Sequence, residues 1–310
     1  MDRRQQQHSH LGGTVVAVGV LLGLAAGAAG CSDSRAAADD VKGAGDPVAL
    51  LRRAADTLGG AGTSKATTSM EMAAGGTRVT IRGKGVYDYR HRLGRLTVVL
   101  PEDPAGAAEH RPITELLAPG ALFMKNRGAG VPADKWVRVD TASVSDGNLV
   151  TGGATDPYAA AEVLRGTRTA AYAGRTEVGG TAVRHYRGTA NLADAARSAS
   201  AANRAALGAA AKGFATADVP FDVYLDDQGR IRKLRQRFSF VNGLQKTPVA
   251  VASTTLLYDF GTPADVRLPH AQDIYAGRIA EEAGTGTDEN KPSQKPPREA
   301  SNQPGGPSAD

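Results

Sequence analysis

The sequence predicts an α+β fold: one antiparallel sheet whose dry face is covered by a few helices. Three observations predict it. Between about residues 60 and 270, eight or more segments alternate apolar and polar residues at the period of a strand. Helical spacing is confined to a few segments, two of which open on the same Asp-Pro pair, at 46–47 and 156–157. No Pro/Gly-rich linker interrupts the run, so residues 46–275 read as one domain.

The elements follow in order. In DPVALLRRAADTLGG (46–60), Asp46 is an N-cap and Pro47 a first helical residue. Val48, Leu51, Ala55 and Leu58 form one apolar face, and Gly59 suits the stop. The period then changes to two. Ala66, Thr68, Met70 and Met72 alternate with polar residues, and so do Val79, Ile81, Gly83, Gly85 and Tyr87 after a Gly75-Gly76 turn. RLGRLTVVLP (92–101), ALFMKNR (121–127) and KWVRVD (135–140) read as further strands. PITELLAPG (112–120) reads as a short helix with Ile113, Leu116 and Leu117 inward.

DPYAAAEVLRG (156–166) repeats the Asp-Pro start and Gly stop of the first helix. Residues 168–192 read as two strands around Gly179-Gly180. The Ala-rich stretch 192–215 reads as one long helix. A hairpin spans 219–241 with its turn at Asp226-Asp227-Gln228-Gly229, a strand covers 247–261, and VRLP (266–269) closes the sheet region. A sheet with one wet and one dry face must cover the dry one, and the helices at 46–58, 156–165 and 192–214 are the available cover.

The two ends of the chain have a different character. Arg3 and Arg4 precede an apolar run of about 12 residues, Val15–Ala26, and small residues follow. The run is too short for a bilayer that needs about 20, and the order is that of a secretory signal peptide over 1–30. Arg3-Arg4 leaves the export route, Sec or Tat, open. Residues 31–45 are small and polar, as in a tether, and 281–310 are rich in Pro, Gly, Ser and charge, the composition of a disordered tail. Removing 1–30 takes Arg3, Arg4 and Asp2 from 37 basic and 32 acidic residues, leaving 35 and 31, near +4. That balance gives a nucleic-acid role little footing. Cys31 is the only cysteine, so neither an intramolecular disulfide nor a Cys-based zinc site is available.

Ala28-Ala29-Gly30-Cys31 resembles the lipobox of bacterial lipoproteins, with Ala28 where Leu is common. The resemblance implies that Cys31 is lipidated and becomes the first residue. The chain anchor would then hold the protein on the extracytoplasmic face of the cell membrane. Over 46–275 the order of elements resembles the actinobacterial LppX/LprG-type lipoproteins of LolA-like fold, above all at Pro220–Leu234 and Leu256–Pro269. That resemblance implies a strongly curved antiparallel sheet, a half-barrel packed on a few helices with an apolar cavity between them. It also implies a lipid or glycolipid ligand. The Ala-rich stretch 192–215 and the charged tail depart from the family pattern.

Inward positions of the expected strands supply the candidate lining: Met70, Met72, Val79, Ile81, Leu96, Val98, Met124, Trp136, Phe221, Val223, Phe238 and Phe240. Methionines suit a flexible chain, though the same residues also make an ordinary core. Catalytic signatures are missing. The histidines at 91, 110, 185 and 270 lack metal spacing, Asp226-Asp227 sits in a turn sequence, and GGAGTSK (59–65) lacks the Gly before Lys of a phosphate loop. GRIRKLRQR (229–237) reads as a solvated strand face. The expectation is a non-catalytic lipid binder or carrier without cofactor or metal. The alternative is an envelope sensor or interaction module on the same fold, with a protein partner.

Overall fold

The computed structural model describes residues 45–276 apart from 75, 102–110, 129, 153 and 242–247. The expected signal and lipobox, most of the tether and the expected tail lie outside the described residues. Asp46 accepts a hydrogen bond from Val48 N (2.9 Å) and starts α1 (Pro47–Arg52). The expected single helix is interrupted at Arg53 and resumes as α2 (Ala54–Gly60). Leu51, Ala54, Ala55 and Leu58 are buried on one side.

Two sets of strands follow. The first is β1 (Thr63–Ala74), β2 (Thr77–Asp88), β3 (Leu93–Val99), β4 (Ile113–Ala118), β5 (Ala121–Lys125) and β6 (Val137–Asp140). After α3 (Pro157–Val163) come β7 (Thr167–Val178) and β8 (Thr181–Asn191). Two helices, α4 (Leu192–Ser198) and α5 (Ala201–Gly213), precede β9 (Asp218–Leu225), β10 (Ile231–Val241) and β11 (Pro248–Tyr258). All join one antiparallel sheet in the order β6-β5-β4-β3-β2-β1-β11-β10-β9-β8-β7. The sheet is open, with β6 and β7 as its edges. This is the α+β class, antiparallel sheet and few helices, that the sequence predicts.

The register fixes the faces. Ala66, Gly85, Leu96, Glu115, Met124 and Val137 stand opposite one another across six strands on the inner face. Glycines let this face bend and be approached closely. A Cβ on Gly85 would lie 1.8 Å from the Arg95 carbonyl oxygen, and one on Gly83 would lie 2.5 Å from Thr68 Oγ1. The helices and the segment 141–166 fill the trough so formed. Leu149, Ala154, Tyr158, Val163, Leu192, Leu207 and Phe214 all join the same buried cluster as the inner sheet residues.

Three further sequence expectations are corrected. PITELLAPG is strand β4, not a helix. Leu117 points into the main core, while Leu116 packs with Ala121, Phe123 and Trp136 on the outer face. An apolar run wet on neither side has no period to betray it as a strand. The stretch 192–215 is broken between α4 and α5. There the fully buried Glu162 carboxylate accepts hydrogen bonds from Ser200 N (2.9 Å), Ser200 Oγ (2.9 Å) and Asn203 Nδ2 (2.7 Å), which holds the second helix start in place. VRLP is not a strand: it ends on Pro269, which has no backbone donor. Val266 and Ile274 instead pack against the outer cluster of Leu116, Ala121 and Phe123, and the Trp136 backbone N–H donates to the Asp273 carbonyl (2.8 Å).

Gly85→Ala is expected to destabilise the protein by about 2 kcal/mol or more, because backbone must move to admit the methyl group. Gly60→Ala, with nothing within 4 Å of its added Cβ, is expected to stay within about 1 kcal/mol of the parent. Urea unfolding midpoints of the two variants check both.

Candidate functional site: an open cleft at one end of the trough

The middle of the trough is packed. Two gaps near Asp156 and Asn203, beside the β2–β3 and β4–β5 turns, hold only about 20 and 10 Å³. Met70, Leu96, Val98, Met124, Phe221, Val223 and Phe238 are buried in this core, and Val79 is half-buried against it. Trp136 lies on the outer face, 5.5 Å from Lys125 Nζ, away from the trough.

Space opens at one end. The ends of β1 and β10 and the starts of β2 and β4 border a cleft of about 710 Å³, in the size range of small-molecule sites. Met72, Ile81, Leu100, Ile113 and Phe240 supply its apolar wall from the sheet, and Val150 and Thr151 face them from the covering segment. Arg111, Asn126, Arg127 and Gly128 complete the lining. The structure thus brings Met72, Ile81 and Phe240 of the candidate lining together and leaves the other nine elsewhere.

Local chemistry shapes the covering wall. Asp146 accepts hydrogen bonds from Asn148 N (3.0 Å), Val150 N (2.8 Å) and Thr151 N (2.6 Å), closing this stretch into a tight turn. Thr155 Oγ1 hydrogen-bonds both the Leu149 carbonyl (3.0 Å) and Ser253 Oγ of β11 (2.7 Å). Gln236 Nε2 of β10 donates to the Ala160 carbonyl (3.1 Å). The covering segment is therefore pinned to the sheet beside the cleft.

Sequence reasoning missed Glu115. It stands on the inner face of β4, two residues beyond the cleft residue Ile113 and flanked across the register by Leu96 and Met124. It is fully buried, and neither carboxylate oxygen has a hydrogen-bond partner among the described residues. Burial pushes its pKa up to about 8, with Arg127 pulling only weakly the other way. The signal was a Glu among apolar residues in ITELLA, which the helical reading of that stretch concealed.

Other polar groups serve the fold. Asp226 accepts from Gln228 N (3.0 Å), Arg230 N (2.9 Å) and Arg230 Nε (2.9 Å), so it builds the expected hairpin turn. His185 Nε2 lies 2.9 Å from Asp222 and its ring stacks on Tyr224. Burial would raise the Asp222 carboxyl, but His185 and Arg237 outweigh it and hold the group below its usual range. Burial raises Asp156, the cap of α3, to about 6 despite bonds from Tyr158 N, Ala159 N and the Tyr87 hydroxyl. Among the described residues no cluster of His, Cys, Asp and Glu has the makings of a metal site, and no helix is long and apolar enough to cross a membrane.

No protein-family model matches the chain, and no curated protein does. Solved structures resemble it. Lipoprotein LppX of Mycobacterium tuberculosis is 10% identical over 71% of this chain and 97% of its own, with a TM-score of 0.42. LprF of Mycobacterium bovis is 12% identical over 72% and 96%, with a TM-score of 0.35. A LolA-superfamily protein of Nitrosomonas europaea is 11% identical over 70% and 96%, with a TM-score of 0.31. These are proteins of the type the sequence resembles. With TM-scores below 0.5 they carry no weight on ligand, partner or location, which rest on this chain's own residues.

A carboxyl with a pKa raised from 4.5 to about 8 stabilises the fold below pH 4.5, and that contribution is lost as pH rises through 8. Relative to Glu115→Gln, the parent is therefore expected to lose stability between pH 4.5 and 8 and to level off above. Unfolding midpoints of the two proteins at pH 5 and pH 8.5 check this, and parallel profiles would contradict the buried acid.

Proposed function

We propose that this chain is a non-catalytic envelope lipoprotein that holds the apolar part of a lipid-like ligand in the cleft at the end of its trough. One observation carries the reading: a cleft of about 710 Å³ with a wall of Met72, Ile81, Leu100, Ile113, Val150 and Phe240 and two arginines in its lining. Each methylene moved from water onto that wall contributes about 0.8 kcal/mol, so a modest length of acyl chain suffices for retention. Arg111, which is exposed, and Arg127, which is half-buried, suit an anionic or strongly polar headgroup left near the opening. Met72 adapts to chains of different shape.

Cys31 gives this reading its address. A lipidated Cys31 with two acyl chains would suffice for stable anchoring, and the composition of residues 32–45 suits a tether to the domain. The carrier would thus work within a short distance of the membrane that supplies its ligand.

Thr151 is exposed at the cleft, so Thr151→Trp fills space there without disturbing the core. That variant is expected to bind N-phenyl-1-naphthylamine at least tenfold more weakly than the parent by fluorescence titration, with an unchanged melting temperature. Cys31→Ser is expected to release the protein from the membrane fraction into the soluble extracytoplasmic fraction. Retention of the Ser variant on washed membranes would contradict the anchor.

A further inference from the structure

We propose that Glu115 is the polar contact for the ligand at the inner end of the cleft. The ligand is then an amphiphile carrying an uncharged hydrogen-bonding oxygen, a hydroxyl or ester, and not a bare hydrocarbon chain. This rests on the reading of the cleft as a lipid site and narrows its ligand class.

The comparison with the other buried carboxylates carries the argument. Glu162 is equally buried, yet it takes hydrogen bonds from Ser200, Asn203 and Arg165 Nε (3.2 Å). Asp146, Asp156 and Asp226 are each bonded by backbone N–H groups. Glu115 alone among these has both oxygens idle. A buried polar group without a partner is costly, and an apolar side chain of similar size would avoid the cost.

Its position says what the missing partner is. Side chains at alternate positions share a face and lie about 7 Å apart, so Glu115 sits one step inward from Ile113 of the cleft wall. Leu96 of β3 and Met124 of β5 flank it on either side across the register. Met124 is unbranched and adaptable, and it can turn aside for an entering chain. Arg127 is the one charged group acting on Glu115 among the described residues, and it forms no hydrogen bond to it. A neutral carboxyl both donates and accepts, which matches a hydroxyl or an ester oxygen. A charged ligand group would find no compensation at that depth, whereas Arg111 and Arg127 offer it in the cleft lining.

The test uses the full chain carrying Cys31→Ser, with Glu115 intact, as Gln and as Leu. Displacement of N-phenyl-1-naphthylamine is measured with 1-monopalmitoylglycerol and with hexadecane, after circular dichroism has verified folding. Intact and Gln forms are expected to prefer monopalmitoylglycerol. The Leu form is expected to lose at least tenfold on monopalmitoylglycerol and to keep its affinity for hexadecane. Between pH 7 and pH 9 the intact form is expected to lose its preference while the Gln form keeps it. A Leu form that binds monopalmitoylglycerol as tightly as the intact protein overturns the assignment. Should Leu fail to fold, a preference in the intact form that is unchanged to pH 9 overturns it instead. If hexadecane binds and monopalmitoylglycerol is not preferred, Glu115 is excluded and the lipid cleft stands. If neither ligand binds any form, both readings fall.

Discussion

The interior depends on one topological constraint. β6 and β7 are opposite edges of the sheet, yet they are consecutive in sequence. Residues 141–166 must therefore travel from one edge to the other, and they do so across the buried face. A buried connection has to satisfy its own backbone. Asp146 and Asp156 bond the N–H groups of its turns, while Ser253 and Gln236 of the sheet bond Thr155 and Ala160. The start of α5 is then fastened to the crossing through Glu162. Val150 and Thr151 of the crossing also form one wall of the cleft, opposite the sheet.

This arrangement separates two uses of the inner face. Along most of the trough, large side chains meet the covering segment, and the gaps beside the β2–β3 and β4–β5 turns are water-sized. At one end, apolar residues of four strands face open space. A half-barrel of this kind need not be hollow throughout to receive a ligand. The filled part fixes the spacing of the walls, and the cleft lies beyond it.

Most of the fold was legible because its signals are local. The Asp46-Pro47 and Asp156-Pro157 starts, the Gly179-Gly180 turn and the Asp226–Gly229 turn each name their element, and the structure has all four. The errors have distant causes. β4 is covered on its outer side by Val266 and Ile274, about 150 residues along the chain, so its polar alternation is lost. The break between α4 and α5 is imposed by Glu162, which no helix propensity within 192–215 reveals. The site was less legible still. Alternation tells which residues face inward but not which of them meet a covering segment. Met70 and Met72 share a face of β1, yet Met70 is buried in the core while Met72 lines the cleft.

The centre of the sheet is a seam between remote parts of the chain. β1 pairs with β11, with Lys65 opposite Tyr258 and Met72 opposite Val251. A polypeptide that emerges N-terminus first, from a ribosome or through a translocation pore, cannot close that seam until almost the whole domain has appeared. Pairing across the seam joins the strands of the sheet most distant in sequence, the kind of non-local contact that slows folding.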